Sequence, residues 1–361
     1  MKTLFLTLIA VLFLPQTSFS LPELVRHGYT NCTTCHHSPN GGGIFTQYGR
    51  ALTAEVQSTY NSEGESDFAY GLVKTPKWLE MGGNFRSIVT RQEYPNESLT
   101  KFIRMQADLE TALVFNKLKI IGTVGLQDTD YPSDPTQGAF FSRRHYLLYS
   151  ANPNLTLRAG KFMHTFGVMQ PDHMVPTRQG LGWNIGSETY NLEASWINEE
   201  WNLFATGVFG RPDQSTLNRE TGFSLNASRK LSDTYKAGLN YFHGSENNDS
   251  RHVIGMHVLA GFTPKLYLLK ETNFEQKDSQ WNLYNFTKLG YEPTQGLHFN
   301  LFLGAVASDL SSDTPIYYIY GPAIQYFPRP HIDLQLTYEM IHERNSSFVK
   351  KWLTLMMHFY L

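Results

Sequence analysis

The chain has 361 residues, 30 basic and 32 acidic side chains, and a formal net charge of −2. That balance leaves no electrostatic footprint for nucleic acid, so no nucleic-acid partner is expected. Two cysteines exclude a disulfide-rich scaffold. Beyond residue 20 no apolar run approaches the roughly 20 residues of a membrane-spanning helix. A place in a membrane would need another route, and the abundance of Tyr (20), Phe (24) and Gly (28) suits one.

Residues 1–20 read as a secretory signal peptide. Lys2 supplies the positive start, Leu4 to Leu14 form an apolar run too short to span a bilayer, and Ser18 and Ser20 are small residues placed for cleavage after Ser20.

Residues 21–75 hold both cysteines, in the order Cys32-Thr33-Thr34-Cys35-His36. This is the pattern for covalent attachment of one c-type haem: two thiols add to the vinyl groups and the adjacent His36 ligates the iron from the proximal side. Export agrees, since such haem is attached outside the cytoplasm. Two other readings stand beside it. A redox disulfide is one, although thioredoxin-like sites open a helix in a βαβ unit and none is visible here. Zinc is the other, using Cys32, Cys35 and His36 or His37, although no second CxxC or spaced His pair completes a tetrahedral site nearby. His37 reads as a solvent-exposed loop residue, because neighbours in sequence cannot reach opposite faces of one iron.

For the second axial position His27, five residues before Cys32, is the nearest candidate distal ligand. Met81 is another, and His164 or His173 qualifies only if the long loop 164–183 folds into a lumen. A methionine or histidine there favours electron transfer, and an open position allows peroxide or small-ligand chemistry. Gly41 to Gly43 permit a tight backbone turn. One short helix is expected around residues 46–60, then a polar linker at 61–68.

Residues 76–361 alternate apolar and polar side chains over short segments. In "FIRMQADLE", Ile103, Met105, Ala107 and Leu109 share one face, and Arg104, Gln106, Asp108 and Glu110 share the other. Period two means strands. Sixteen segments are expected, beginning near Trp78, Phe102, Leu118, Phe140, Leu155, Ile185, Trp201, Gly222, Thr234, Val253, Leu266, Asn282, Leu297, Pro315, His331 and Ser347. Short links alternate with long ones at 127–138, 164–183, 243–250 and 308–315, as the periplasmic turns and outer loops of an outer-membrane barrel do. The closing "WLTLMMHFYL" puts Leu353, Leu355, Met357, Phe359 and Leu361 on one face, like the C-terminal strand by which such barrels are assembled.

The expected class is therefore all-β: a transmembrane antiparallel β-barrel of about sixteen strands in outer-membrane lipid, with a small N-terminal haem segment as plug or cap. Arg104, Asp108, Glu110, Arg158, Asp333 and Glu339 should face inward, where they brace the wall by pairing or serve transport. Asp128, Asp130, Asp134, Asp172, Asp213, Glu246, Asp249, Asp309 and Asp313 give the outer loops a mildly acidic surface, which either attracts a metal cation or is ordinary solvated loop.

Fewer than sixty residues between the signal peptide and the barrel are little to wrap a haem, so the barrel should supply the missing wall. The stretch "ELVRHGYTNCTTCHHSPNGGGIFTQYGRAL" resembles the haem segment of the fused monohaem cytochrome c–porin family of iron-oxidising bacteria, through Arg26, Gly28, Cys32, Cys35, His36, Tyr48, Gly49 and Arg50. The resemblance implies an outer-membrane electron-transfer protein, with extracellular Fe(II) as donor and a periplasmic cytochrome or other electron carrier as acceptor, hence an Fe(II):cytochrome c oxidoreductase. The alternative is a diffusion porin whose haem segment is a gate or structural plug. A third reading, a peroxidase, requires an open iron site.

Overall fold

The computed structural model describes residues 22–126, 138–170, 172, 175–184, 186–212, 220–247, 249–312 and 314–361. The expected signal peptide, His173, and the loop aspartates Asp128, Asp130, Asp134, Asp213 and Asp313 lie outside the described residues.

Seventeen strands form one sheet: β1 (Leu79–Glu93), β2 (Ser98–Phe115), β3 (Leu118–Leu126), β4 (Phe140–Phe141), β5 (His145–Ser150), β6 (Leu155–Phe162), β7 (Thr189–Ile197), β8 (Trp201–Val208), β9 (Thr221–Ser232), β10 (Tyr235–Glu246), β11 (Asp249–Thr263), β12 (Leu266–Lys277), β13 (Gln280–Thr294), β14 (Leu297–Ala307), β15 (Ile316–Tyr326), β16 (Ile332–Glu343) and β17 (Val349–Tyr360). Strands that are neighbours in the ring pair antiparallel. The two-residue β4 and β5 share one place beside β3, so sixteen positions make up the wall. The last strand returns to the first, with Asn84 opposite Tyr360 and Glu93 opposite Lys351. The sheet therefore closes on itself and leaves no edge with unpaired backbone groups.

Strand starts follow the expected ones closely. The main departure is at 243–250, expected as a loop: His243 pairs with His252 and Ser245 with Ser250, so β10 and β11 run on to a tight turn at Asn247, whose φ is +51°. Polar side chains at the rim do not interrupt the ladder, because the pairing is made by the backbone. The segment expected near Ile185 begins at Thr189.

The alternation resolves into two faces of opposite character. Asp108 and Glu110 are 1% and 2% exposed while Leu109 between them is 43% exposed, and Leu353, Leu355 and Met357 of β17 point outward in the same way. Arg158 and Asp333 are buried as expected, whereas Arg104 and Glu339 are half-buried. Inward charges brace the wall by pairing: Arg143 with Asp108 (2.9 Å), Arg144 with Glu110 (3.1 Å) and Arg158 with Glu193 (2.7 Å).

Two further pieces touch the inner face. The loop between β6 and β7 packs Met163, Phe166, Leu181 and Trp183 against Val208, Phe242, Val253 and Tyr284 of the wall, and Ser224 Oγ donates to the Thr165 carbonyl (2.6 Å). The N-terminal segment contains an α-helix at Gln47–Leu52, whose first turn Thr46 caps by accepting from Gly49 N–H (3.0 Å). That helix continues as a π-turn, Thr53–Gln57, so the expected helix at 46–60 is shorter.

Contacts to the barrel hold this segment along its length. Arg26 pairs with Glu292 (2.6 Å) and Lys288 with Glu23 (2.7 Å), Lys236 donates to the Thr30 carbonyl (2.7 Å), and Thr59 N–H donates to the Phe327 carbonyl (2.9 Å). The polar stretch expected as a linker is itself fastened, Glu65 pairing with Arg329 and its carbonyl accepting from His331 (2.8 Å). Asn198, Pro264, Gln295 and Phe327, all bonded to the segment, lie at the barrel end with the short turns.

An arginine on the outward face near mid-strand belongs in water rather than hydrocarbon. Leu355→Arg should lower the unfolding free energy in lipid vesicles by about 2–4 kcal/mol, read from urea titrations of tryptophan fluorescence; an unchanged midpoint would mean that this face does not meet lipid.

Candidate functional site

Cys32, His36 and the three glycines singled out from the sequence meet at a cavity between the N-terminal segment and the wall. About 280 Å³ of it is open to the centres of water molecules, and Cys32, His36, Gly41, Gly42, Gly43 and Phe45 line it on the segment side. Local backbone rules put them there. Cys32–Thr34 is one turn of 3-10 helix, closed by Cys35 N–H donating to the Cys32 carbonyl (3.2 Å), which also accepts from His36 N–H (3.0 Å). The chain then reverses so that His36 bridges Phe45, with ring centroids 4.5 Å apart. Gly41, Gly42 and Gly43 make that reversal with φ of +85°, +72° and +70°, a region costly for other residues. Gly43 also lies close under the Glu110 carboxylate, so a side chain there would meet the wall.

Cys35 is packed behind the cavity surface with Leu24, Tyr29 and Leu52, and of these Leu24 and Tyr29 form part of the cavity wall. The helix carrying Tyr48-Gly49-Arg50 crosses directly over Cys35: a Cβ at Gly49 would collide with the Cys35 carbonyl. Arg50 then donates to the Met81 carbonyl on β1, so the triplet fastens the cysteine turn to the wall.

His37 corrects an expectation. It is 7% exposed, not a solvent-exposed loop residue. Its Nε2 sits 2.6 Å from the Glu80 carboxylate and its Nδ1 2.9 Å from Lys119 Nζ. The lysine donates to Nδ1, which leaves the Nε2 proton for Glu80. The residue after His36 thus anchors the motif to β1 and β3.

None of the described candidates for the second axial position lines the cavity. His27, half-buried in the 3-10 turn Pro22–His27, and Met81 are not among its lining residues. The long loop does fold into the lumen, yet His164 turns toward Trp183 and Phe242, with centroids at 4.6 and 5.1 Å. The wall and the infolded loop bring other residues instead: His257, His298 and His358, the methionines Met163 and Met169, and a set of cations that includes Arg86, Arg143, Arg144, Arg178 and Lys236. His298 and His358 were legible, since each shares its strand's inward parity with polar neighbours. His257 was not, because β11 is apolar on both faces around it.

The residues present suit a haem. A thiol and an imidazole of one CxxCH turn open onto the same cavity, glycines take the places where a side chain would fill the cradle, and aromatic and aliphatic groups mix with cations in the lining.

No protein-family model matches the chain, nor does any curated protein. Solved structures do. The outer membrane channel DcaP of Acinetobacter baumannii aligns with a TM-score of 0.55 at 14% identity, over 78% of this chain and 97% of that one. Salmonella typhi OmpF in complex with daunomycin gives 0.59 at 10% identity, over 78% and 97%. An anion-selective porin from Comamonas acidovorans gives 0.55 at 10% identity, over 78% and 99%. The fold is that of outer-membrane porins: a closed antiparallel barrel of sixteen strands.

Gly49→Ala should loosen the N-terminal segment by about 1–3 kcal/mol, the usual cost of forcing a methyl into a filled site. Limited proteolysis should then clip the segment while the barrel survives; equal protection in variant and parent would mean the helix has room to move. Burial, with Arg26 adding to it, lowers the pKa of His27 from 6.5 to about 4. Its folded pKa lies below its unfolded one, so the unfolded segment binds the proton first and docking weakens as pH falls from about 6.5 to about 4. His27→Gln should flatten that part of a protease-protection profile; an unaltered profile would place the pH dependence elsewhere.

Proposed function

We propose that the chain carries electrons between an extracellular donor and periplasmic carriers across the outer membrane, through one haem c bound to Cys32 and Cys35 with His36 as proximal ligand. Residues 21–75 are then a cytochrome c-like plug in a porin-like barrel, 76–361, with the plug at the periplasmic mouth. One observation carries the reading: Cys32 and His36, fixed by sequence spacing, open onto a cavity whose opposite side is barrel. A segment this small has little core of its own, and the barrel side chains complete its packing.

Haem bound there supplies a one-electron couple. The chain's residues hold and orient it. Phe45 packs against the His36 ring, Leu259 and Phe327 exclude water from the lining, and the arginines suit the two carboxylates that a haem carries. His37, held between Glu80 and Lys119, limits how far His36 moves. With Fe(II) as donor the activity is that of an Fe(II):cytochrome c oxidoreductase, as the resemblance of the "ELVRHGYTNCTTCHHSPNGGGIFTQYGRAL" stretch suggests.

A second reading has its own support. The structural likenesses are to porins and channels, and they favour a diffusion porin whose N-terminal segment is a gate or structural plug; the electron-transfer reading rests on the motif and the cavity.

Purified protein in proteoliposomes separates the two. Fe(II) added on the extracellular side should reduce a covalently bound haem, and planar bilayers should show little steady current. Large open-pore currents without haem reduction would establish the porin instead.

A further inference from the structure

We infer that His243 and His252, paired across β10 and β11 on the outer face of the barrel, form a binding site for a divalent transition-metal ion reached from the long-loop side of the membrane. The site lies outside the lumen and stands or falls independently of the haem reading.

Strand parity turns the pair outward. Phe242 and Val253 are 1% and 0% exposed and belong to the cluster inside the lumen, so their neighbours His243 and His252 point the other way. The register sets the two histidines directly opposite each other. Ser245 and Ser250 form the next outward pair toward the turn at Asn247, and Tyr241 and Ile254 the next toward mid-strand, with Ile254 50% exposed. The imidazoles thus stand where the apolar band of the wall gives way to its polar rim, at the end of the barrel away from the short turns that hold the N-terminal segment. An ion in the outer solution meets them without entering the lumen.

The spacing of the rings suits a shared ion. Their centroids are 4.7 Å apart and their planes are inclined at 34°. Two imidazoles that ligate one ion at about 2.1 Å from adjacent coordination positions hold their centroids roughly 4.5–5.2 Å apart, since each centroid lies about 1.1 Å behind its nitrogen. The ring nitrogens are also sorted. His252 Nδ1 lies 2.9 Å from Tyr241 Oη, and His243 Nδ1 is buried. Among the described residues no hydrogen bond engages either Nε2. With His252 Nδ1–H donating to Tyr241 Oη, the Nε2 lone pair is left for a metal, which is how an outer partner fixes the tautomer of a ligating histidine.

The surroundings select the kind of ion. Phe223 stands opposite His243 on β9 and Gln276 opposite His252 on β12, and neither brings a carboxylate. Glu246 and Asp249 pair on the other parity, away from the two rings. Two neutral nitrogens completed by water suit Cu(II), Ni(II) or Zn(II), and they offer little to Ca(II) or Mg(II), which take oxygen ligands.

Untagged protein with any free thiol alkylated, in detergent micelles, should bind one Ni(II) in isothermal titration calorimetry, and its Cu(II) complex should show hyperfine splitting from two imidazole nitrogens. His243→Ala and His252→Ala should each abolish that binding. His342→Ala, near the end of β16, should leave it unchanged, because His342 Nε2 already lies 3.2 Å from the Ser346 carbonyl. Unaltered migration on unheated gels checks that each variant closes its barrel. A parent without saturable binding, or an alanine variant at 243 or 252 that keeps it, overturns the site.

Discussion

The structure depends on satisfying backbone hydrogen bonds where the surroundings offer none. A sheet facing hydrocarbon must close, and the pairing of β17 with β1 closes this one. Closure inverts the usual placement of side chains. Leu109, Leu353 and Leu355 go outward, and Asp108, Glu110, Arg158, Glu193 and Lys288 go into a narrow interior where each charge needs a partner. Some partners come from the wall, as Arg143 does for Asp108. Others come from the N-terminal segment: Glu23 for Lys288, and Arg26 for Glu292.

The same interior therefore explains why so short a segment is ordered. Its apolar cluster of Leu24, Tyr29, Cys35 and Leu52 is too small to hold a fold alone, but its polar groups fit a set of wall charges that would otherwise lack part of their partners. The result is a cavity with a thiol and an imidazole on one side and strand residues with an infolded loop on the other. Separating fold from function is natural here: the barrel has the fold of porins, and the redox proposal resides in some thirty residues of the chain.

Much of this was legible because it follows simple periods. Sixteen alternating segments placed the strands to within a few residues, and the parity of "WLTLMMHFYL" sorted Leu353 and Leu355 from His358 correctly. The cysteine spacing marked the site, and the three glycines marked the turn. What stayed hidden depended on long-range packing. His37 looks like a loop residue until β1 and β3 bring Glu80 and Lys119 to it. In the irregular stretch after β6 no period says which of Met163 and His164 faces the cavity. The choice is made by Trp183, which lies nineteen residues beyond His164 and takes the imidazole into its own cluster. The loop at 243–250 was misjudged for a related reason: composition reports polarity, whereas the ladder reports pairing.

The seam where the ring closes is also where the N-terminal segment rests. Ile44 packs beside Gly82, Phe45 faces Tyr360 at 5.9 Å, and Arg50 and His37 grip β1. Segment and seam are therefore packed against each other. The first and last strands of the cylinder meet over a shared internal splint, so the piece that reads as cargo doubles as the clasp of its own container.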